Sequence, residues 1–174
     1  MVIYTIGHST RSAGEFAQIL HAYRIELIAD IRTIPRSRHN PQYDQHTLDR
    51  LLANEGIEYV HLAALGGLRH RQKGSPNTGW RNASFRGYAD YMQTQEFARA
   101  IDDLIARASR KTTALLCAEA VPWRCHRSLV GDALVVRHVD VQDILDEKHV
   151  RPHQLTPWAR VEGLKITYPK SEDR

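Results

Sequence analysis

Cysteine is scarce in this chain. Two cysteines in 174 residues are too few for the disulfide framework that staples small secreted domains. Long apolar runs are also missing: the longest span a handful of residues, against the ~20 a bilayer-crossing helix needs, which rules out a membrane span. The N-terminus enters Met1-Val2-Ile3-Tyr4 directly, without the basic region, apolar stretch and cleavage site of a signal peptide. A reduced, cytoplasmic setting is therefore expected. Glycine and proline, 10 and 7 residues, are too few for a collagen-like or low-complexity chain. What remains is one globular domain over residues 1–174, at roughly 100–200 residues per domain.

Acidic residues are absent from three stretches, although the chain as a whole carries only +4, from 24 Lys and Arg against 20 Asp and Glu. Ile31 to Tyr43 holds Arg32, Arg36 and Arg38 without an acid. The span between Glu58 and Asp90 holds Arg69, Arg71, Lys73, Arg81 and Arg86, and Ala120 to Gly131 holds Arg124 and Arg127. Asp140, Asp143, Asp146 and Glu147 gather on the C-terminal side. Solvated faces account for most charge runs, so the question is where these stretches fall in the fold.

Val2 to Ile6 is a β-branched and aromatic run ending at Gly7, and it predicts a strand. Ser12 followed by Glu15 is a capping-box pair, after which Phe16, Ile19, Leu20 and Tyr23 recur at helical spacing. Glu26 to Ile31, Ile57 to Leu62, Thr112 to Cys117 and Val135 to Val139 predict four further strands. Leu48, Leu51 and Leu52 mark a short helix closed by Gly56. Tyr88 to Ile105 is helical with a break near Thr94, and Leu129 to Leu134 is helical again. Residues 66–87, with five glycines and a proline, predict a long basic loop, a length that is usually functional or mobile. Residues 153–174 form a C-terminal extension packed on the domain, with an edge strand expected at Leu164 to Tyr168. The alternation predicts an α/β three-layer domain: a mainly parallel sheet of about five strands with helices on both faces.

In open sheets of this kind ligands bind beyond the carboxyl ends of the strands. The loops that begin there are Gly7 to Ser12, Arg32 to Asn40, Gly66 to Gly87 and Ala118 to Ser128, so three acid-free stretches converge on one rim. Cys117 ends a strand ahead of a helix, where helix-terminal amides and Arg124 and Arg127 favour a thiolate. Six residues separate Cys117 from Arg124, so the five-residue anion-cradling loop between Cys and Arg is not met. Buried filler is the competing reading of Cys117 and the leading one for Cys125, and His126 lies on the inward face of the helix. Glu119 shares an extended face with Cys117 and suits either a general base or an ion pair with Arg32 or Arg127.

His8 and Ser9 place an imidazole and a hydroxyl at the rim, and Asp30 and Arg32 share a strand face. His8, with an unperturbed pKa near neutrality, is a candidate general base. His8, Asp30, Glu119 and Cys117 together lack the short ligand spacings of a zinc site, and no residue is assigned to a metal. Gly66 and Gly67 permit close backbone approach to a ligand. Arg86, Tyr88, Trp80 and Phe85 mix cations with aromatics, as stacking on bases or a lid over a nucleotide requires.

TIGHS (Thr5 to Ser9), DIRTIPRSR (Asp30 to Arg38), LGG (Leu65 to Gly67), FRGYADYM (Phe85 to Met92) and CAEAVPWRCHRSL (Cys117 to Leu129) together resemble the bacterial and archaeal family known as domain of unknown function 488. HQLTPWARVEG and ITYP extend the resemblance to Pro169. It implies a compact α/β domain and leaves the reaction open. The expectation is a small enzyme acting on a phosphate-bearing or other anionic ligand, a nucleotide or nucleic acid included. Cys117 is its candidate nucleophile, His8 or Glu119 the proton carrier, Asp30 and His126 supporting groups, and Ser9, Arg32, Arg36, Arg38, Arg86, Tyr88, Arg124 and Arg127 the ligand contacts. Two alternatives stand beside it: a non-catalytic nucleic-acid-binding module and a thiol redox protein using Cys117 and Cys125. Neither a cofactor nor an oligomeric state is specified.

Overall fold

Buried β-branched runs alternate with amphipathic ones along the chain, and the computed structural model, which describes residues 1–171, realises that alternation. Its elements are β1 (Val2–Gly7), α1 (Ala13–Ala22), β2 (Leu27–Asp30), α2 (Gln45–Asn54), β3 (Glu58–His61), α3 (Ala83–Tyr91), α4 (Gln95–Ala108), β4 (Thr113–Cys117), α5 (Arg127–Val135), β5 (Asp140–Ile144), β6 (Val150–Pro152), β7 (Arg160–Glu162) and β8 (Lys165–Thr167). The sheet runs β3-β2-β4-β1-β5-β6, parallel through β5, with β6 antiparallel at the edge. Helices cover both faces. Among the described residues no helix is long and apolar enough to cross a membrane.

Period-two alternation on the strands sorts the core into two layers. Ile6, Ile28, Ala114 and Leu116 pack against Phe16 and Leu20 of α1 and Leu48 and Leu52 of α2. Ile3, Ala29 and Leu115 pack against Tyr88 of α3, Ile101 and Leu104 of α4 and Leu129 of α5. Each fully buried Leu, Ile or Phe contributes about 1.5–3 kcal/mol. Local signals set the helix ends: Ser12 and Glu15 form the capping box of α1, Thr94 caps α4, and Gly56, at φ 73°, follows α2.

The structure departs from the sequence reading in three places. The fifth strand is not Val135 to Val139: α5 runs through Val135, the chain turns at His138 (φ 63°), and β5 starts at Asp140. Its polar letters hid it, since Asp143 is buried as half of a charge network rather than standing with the other acids on the surface. The loop after Gly66 ends at Asn82, which caps α3, so residues 83–87 are helical. Gly87 is there for packing: a Cβ on it would lie 2.3 Å from the Arg69 carbonyl oxygen. The strand at Leu164 to Tyr168 exists as β8, but it pairs with β7 in a separate ribbon instead of extending the sheet.

The long loop is fastened from inside. Asp90 accepts from the Gln72 backbone (2.6 Å), Asn77 Nδ2 (2.7 Å) and the Ser75 hydroxyl, and Asn77 Oδ1 accepts the Tyr168 backbone N–H at 2.9 Å. The C-terminal extension lies on the α5 side, with Ile166 and Tyr168 in that core layer. Its last residues, 172–174, lie outside the described residues.

Candidate active site at the carboxyl edge of the sheet

Beyond their last paired residues, β1 and β4 continue side by side. His8 N–H donates to the Cys117 carbonyl and Ser9 N–H to the Ala118 carbonyl, both at 2.9 Å, while Ile31 N–H donates to the Leu116 carbonyl at 3.0 Å. The ends of β2, β4 and β1 are thus flush, and the loops leaving them meet as expected. Alternation then divides what the sequence presents as one cluster. His8 and Asp30 share parity with Ile6 and Ile28 and face α1 and α2. Cys117 shares parity with Leu115 and faces α5.

On the α1/α2 side Asp30, wholly buried, grips Arg32 with both oxygens, at 2.9 Å to Nε and 2.7 Å to Nη2, and accepts the Tyr59 hydroxyl at 2.6 Å. A bidentate carboxylate of this kind fixes a guanidinium plane. His61 Nε2 donates to the Arg32 carbonyl at 2.7 Å, holding the backbone too. Arg32 is only 6% exposed, yet its Nη1 has no partner.

Beside it His8, 3% exposed, stacks on Tyr43 with ring centroids 4.1 Å apart. Ser9 takes φ 50°, sparsely populated for a residue with a Cβ, and its carbonyl accepts from His8 Nδ1 at 2.8 Å. That bond puts the proton on Nδ1 and leaves a lone pair on Nε2, which is buried and also unpartnered. Burial pushes the His8 pKa below its ordinary 6.5; the Ser9 carbonyl opposes this and the Arg32 charge adds to it. His8 is therefore a neutral imidazole at pH 7. At the carboxyl edge His8 Nε2 and Arg32 Nη1 on the α1/α2 side, and Arg127 Nε on the α5 side, are buried without a partner in the protein. Buried polar groups are almost always paired, so the unpaired His8 and Arg32 atoms on one face of the sheet make this edge the candidate site.

On the α5 side Cys117 is 1% exposed and Cys125 is also buried; both thiols are free. Burial alone raises the Cys117 pKa, but hydrogen bonding with Cys125, the Arg127 guanidinium and the Glu119 backbone bring it down to about 7. Cys125 is held well above the ordinary thiol range, by its contact with Cys117 first and by burial second. Arg127 is completely buried. Its Nη1 donates to Thr5 Oγ1 at 2.9 Å and its Nη2 to the Glu119 and Ala120 carbonyls at 3.0 and 3.3 Å, so it holds the β4–α5 loop down over Cys117. Gly7 lets that loop settle: a Cβ there would stand 1.6 Å from the Glu119 carbonyl oxygen. The expected ion pair of Glu119 with Arg32 or Arg127 is absent among the described residues. The Glu119 backbone meets Arg127, and its carboxylate is exposed.

The remaining candidates disperse. His126 is neutral, pushed down to about 4 by burial, with Nε2 donating to the Ile31 carbonyl at 2.8 Å and Nδ1 facing Cys125 Sγ at 3.4 Å. It fastens α5 to the end of β2, and Gly67 is a glycine because a Cβ would touch its ring at 2.6 Å. Gly66 packs on Thr33. Tyr88 is buried with its hydroxyl on the Leu65 carbonyl, and Arg86, half-buried, donates through Nε and Nη2 to the Trp80 carbonyl. Arg36, Arg38 and Arg124 are exposed, and Ser9 is half-buried. His8, Asp30, Glu119 and Cys117 do not converge, and among the described residues no group of three or more His, Cys, Asp and Glu has a metal-holding arrangement.

Several contributing residues escaped the sequence reading. Tyr43 and Tyr59 flank His8 and Asp30 from neighbouring segments, and only the parity of Tyr59 with a strand neighbour hinted at it. Asp132, an acid inside the apolar helix stretch LVGDALV, was a legible sign of a buried network.

Residues 12–134 match the model of a protein family described as a domain of unknown function, DUF488. The match takes in Asp30, Arg32, Cys117, Cys125, His126 and Arg127 and begins after His8. No curated protein and no solved structure matches the chain.

Proposed function

The chain belongs to the family described as domain of unknown function DUF488, and from the geometry of its own side chains we propose that it is a small enzyme acting on a phosphate-bearing or similarly anionic substrate. The unpartnered pair of His8 Nε2 and Arg32 Nη1, both buried at the carboxyl edge of the sheet, carries this reading. Arg32, locked by Asp30, donates to an anionic oxygen of the substrate and stabilises the charge that grows there. His8 accepts a proton at Nε2 from a water or a substrate hydroxyl as that oxygen attacks the electrophilic centre, and returns it to the leaving-group oxygen as the bond to that oxygen breaks. The Ser9 carbonyl holds the imidazole in the competent tautomer. Cys117 is not given the nucleophile role here, because it faces the other side of the sheet from His8 and Arg32, under the β4–α5 loop that Arg127 holds down.

The test uses inorganic phosphate, nucleoside monophosphates, aryl phosphates and short oligonucleotides as probes, with His8→Asn and Arg32→Lys. The reading expects saturable binding of at least one probe, a 10²–10⁴-fold loss of turnover in His8→Asn with binding kept, and weakened binding in Arg32→Lys. Millimolar probes that bind neither wild type nor the variants, or that bind wild type and Arg32→Lys alike, overturn it.

One feature favours a second reading, a dithiol function: two free, buried thiols flank the β4–α5 connection, and each shifts the pKa of the other. Peroxide would take two electrons and two protons from the pair, form the S–S bond and leave water. Mass spectrometry after mild peroxide decides it, and an unchanged mass removes it.

A further inference from the structure

The sequence holds three tryptophans, and all three line one cavity of about 450 Å³ on the α5 side of the molecule, apart from the His8–Arg32 pair. They come from three segments: Trp80 from the long loop, Trp123 from the β4–α5 loop and Trp158 from the C-terminal extension. Trp80 and Trp158 meet with ring centroids 5.0 Å apart at 67°. Trp123 is 55% exposed, which is unusual for the largest apolar side chain, and the Arg151 guanidinium lies 4.8 Å from its ring centroid. The Trp80 indole N–H is buried and has no acceptor. His153, also in the lining, brings no free charge, because Asp132 and Asp143 hold both of its nitrogens. The open cation at the cavity is Arg151.

Flat π-faces, one unsatisfied donor and one exposed guanidinium define the ligand they suit. Indole faces stack on planar heteroaromatic rings, an indole N–H needs a carbonyl or ring nitrogen, and arginine pairs with phosphate. From this we propose that the cavity binds a nucleobase carrying a phosphate, stacked on Trp123 with its phosphate at Arg151 and an acceptor on the base edge meeting Trp80 Nε1. A free nucleotide and the phosphorylated end of a single strand share that chemistry. This proposal does not rest on the enzymatic reading above.

Because every tryptophan lines the cavity, intrinsic fluorescence reports on it directly. Adenosine 5′-monophosphate, adenosine, inorganic phosphate, a 5′-phosphorylated single-stranded oligonucleotide and a proline-rich peptide are titrated into the whole protein and into Trp123→Ala, Arg151→Ala and His8→Asn. The expected result is saturable quenching by the monophosphate, by the strand end, or by both; which of the two binds tighter identifies the source. Trp123→Ala weakens binding about 5- to 150-fold, the range of one base–aromatic stack. Arg151→Ala weakens the monophosphate about tenfold and leaves adenosine unchanged, and His8→Asn has no effect. The proposal is overturned by no saturable quenching up to about 10 mM, by wild-type affinity in Trp123→Ala, by quenching lost in His8→Asn, or by quenching with the proline-rich peptide alone.

Discussion

His153 makes a quantitative statement about stability. Its imidazole, 6% exposed, lies 2.9 Å from Asp132 and 3.1 Å from Asp143. Those carboxylates are themselves braced, Asp143 by the Thr5 hydroxyl at 2.5 Å and Asp132 by Thr156 at 2.7 Å and Tyr168 at 2.8 Å. Burial pushes the His153 pKa down, but hydrogen bonds to Asp132 and Asp143 and their charges outweigh it and raise the value from 6.5 to about 9. The pKa is higher folded than unfolded, so the proton favours the native state. Its contribution is complete below about pH 6.5 and disappears as pH rises through about 9; a shift of roughly 2.5 units corresponds to about 3 kcal/mol. The same attraction keeps Asp143 below the usual carboxylate range, so the two shifts are one interaction and are not summed. Cys117 titrates in the same window with the opposite sign, its lowered pKa favouring the folded state as pH rises. The quantity to read is therefore the stability difference between wild type and His153→Gln, from urea unfolding at about pH 6 and about pH 10. That difference should shrink by about 3 kcal/mol between the two conditions. A difference that stays flat with pH refutes the charged imidazole.

Two further outcomes follow from the β4–α5 loop. Gly7→Ala forces a methyl into the Glu119 backbone and should cost about 3 kcal/mol, lowering Tm by about 6–12 °C; a wild-type melting curve would show that the loop does not rest on Gly7. Cys117 and Cys125, both buried, should react with iodoacetamide only as fast as the loop or the whole chain opens, despite the low Cys117 pKa. Native labelling as rapid as in urea would mean that the thiol is open to substrate.

Local signals in this sequence were legible and non-local ones were not. The Ser12–Glu15 box, the Thr94 break and Gly56 mark helix ends because capping is settled within four residues. Four of the five expected strands stand where their β-branched runs put them. The fifth was hidden because Val135 and Val136 look like a strand while finishing a helix, and because the real strand carries Asp143, whose burial makes sense only beside His153 and Thr5. Gly87 reads as a loop residue until the Arg69 carbonyl is seen against it. The rim itself was foreseeable from chain direction and the acid-free loops. That His8 and Cys117 would face opposite sides of the sheet was implicit in the strand parities, but the apparent density of Cys117 to Ser128 concealed it. Whether each arginine faces the protein or solvent depends on partners far along the chain: Asp30 for Arg32, Thr5 and two carbonyls for Arg127. No spacing rule supplies those.

The central claim is that His8 offers a free Nε2 lone pair on the same sheet face as an Arg32 donor that the protein leaves unpaired. Long-range proton–nitrogen NMR of the imidazoles, with inorganic phosphate titrated at neutral pH, tests it most directly. The His8 ring should be protonated at Nδ1 alone in the free protein, and its Nε2 resonance should shift and saturate with phosphate, in wild type but not in Arg32→Lys. A His8 ring protonated at Nε2, or one indifferent to phosphate, would contradict the account.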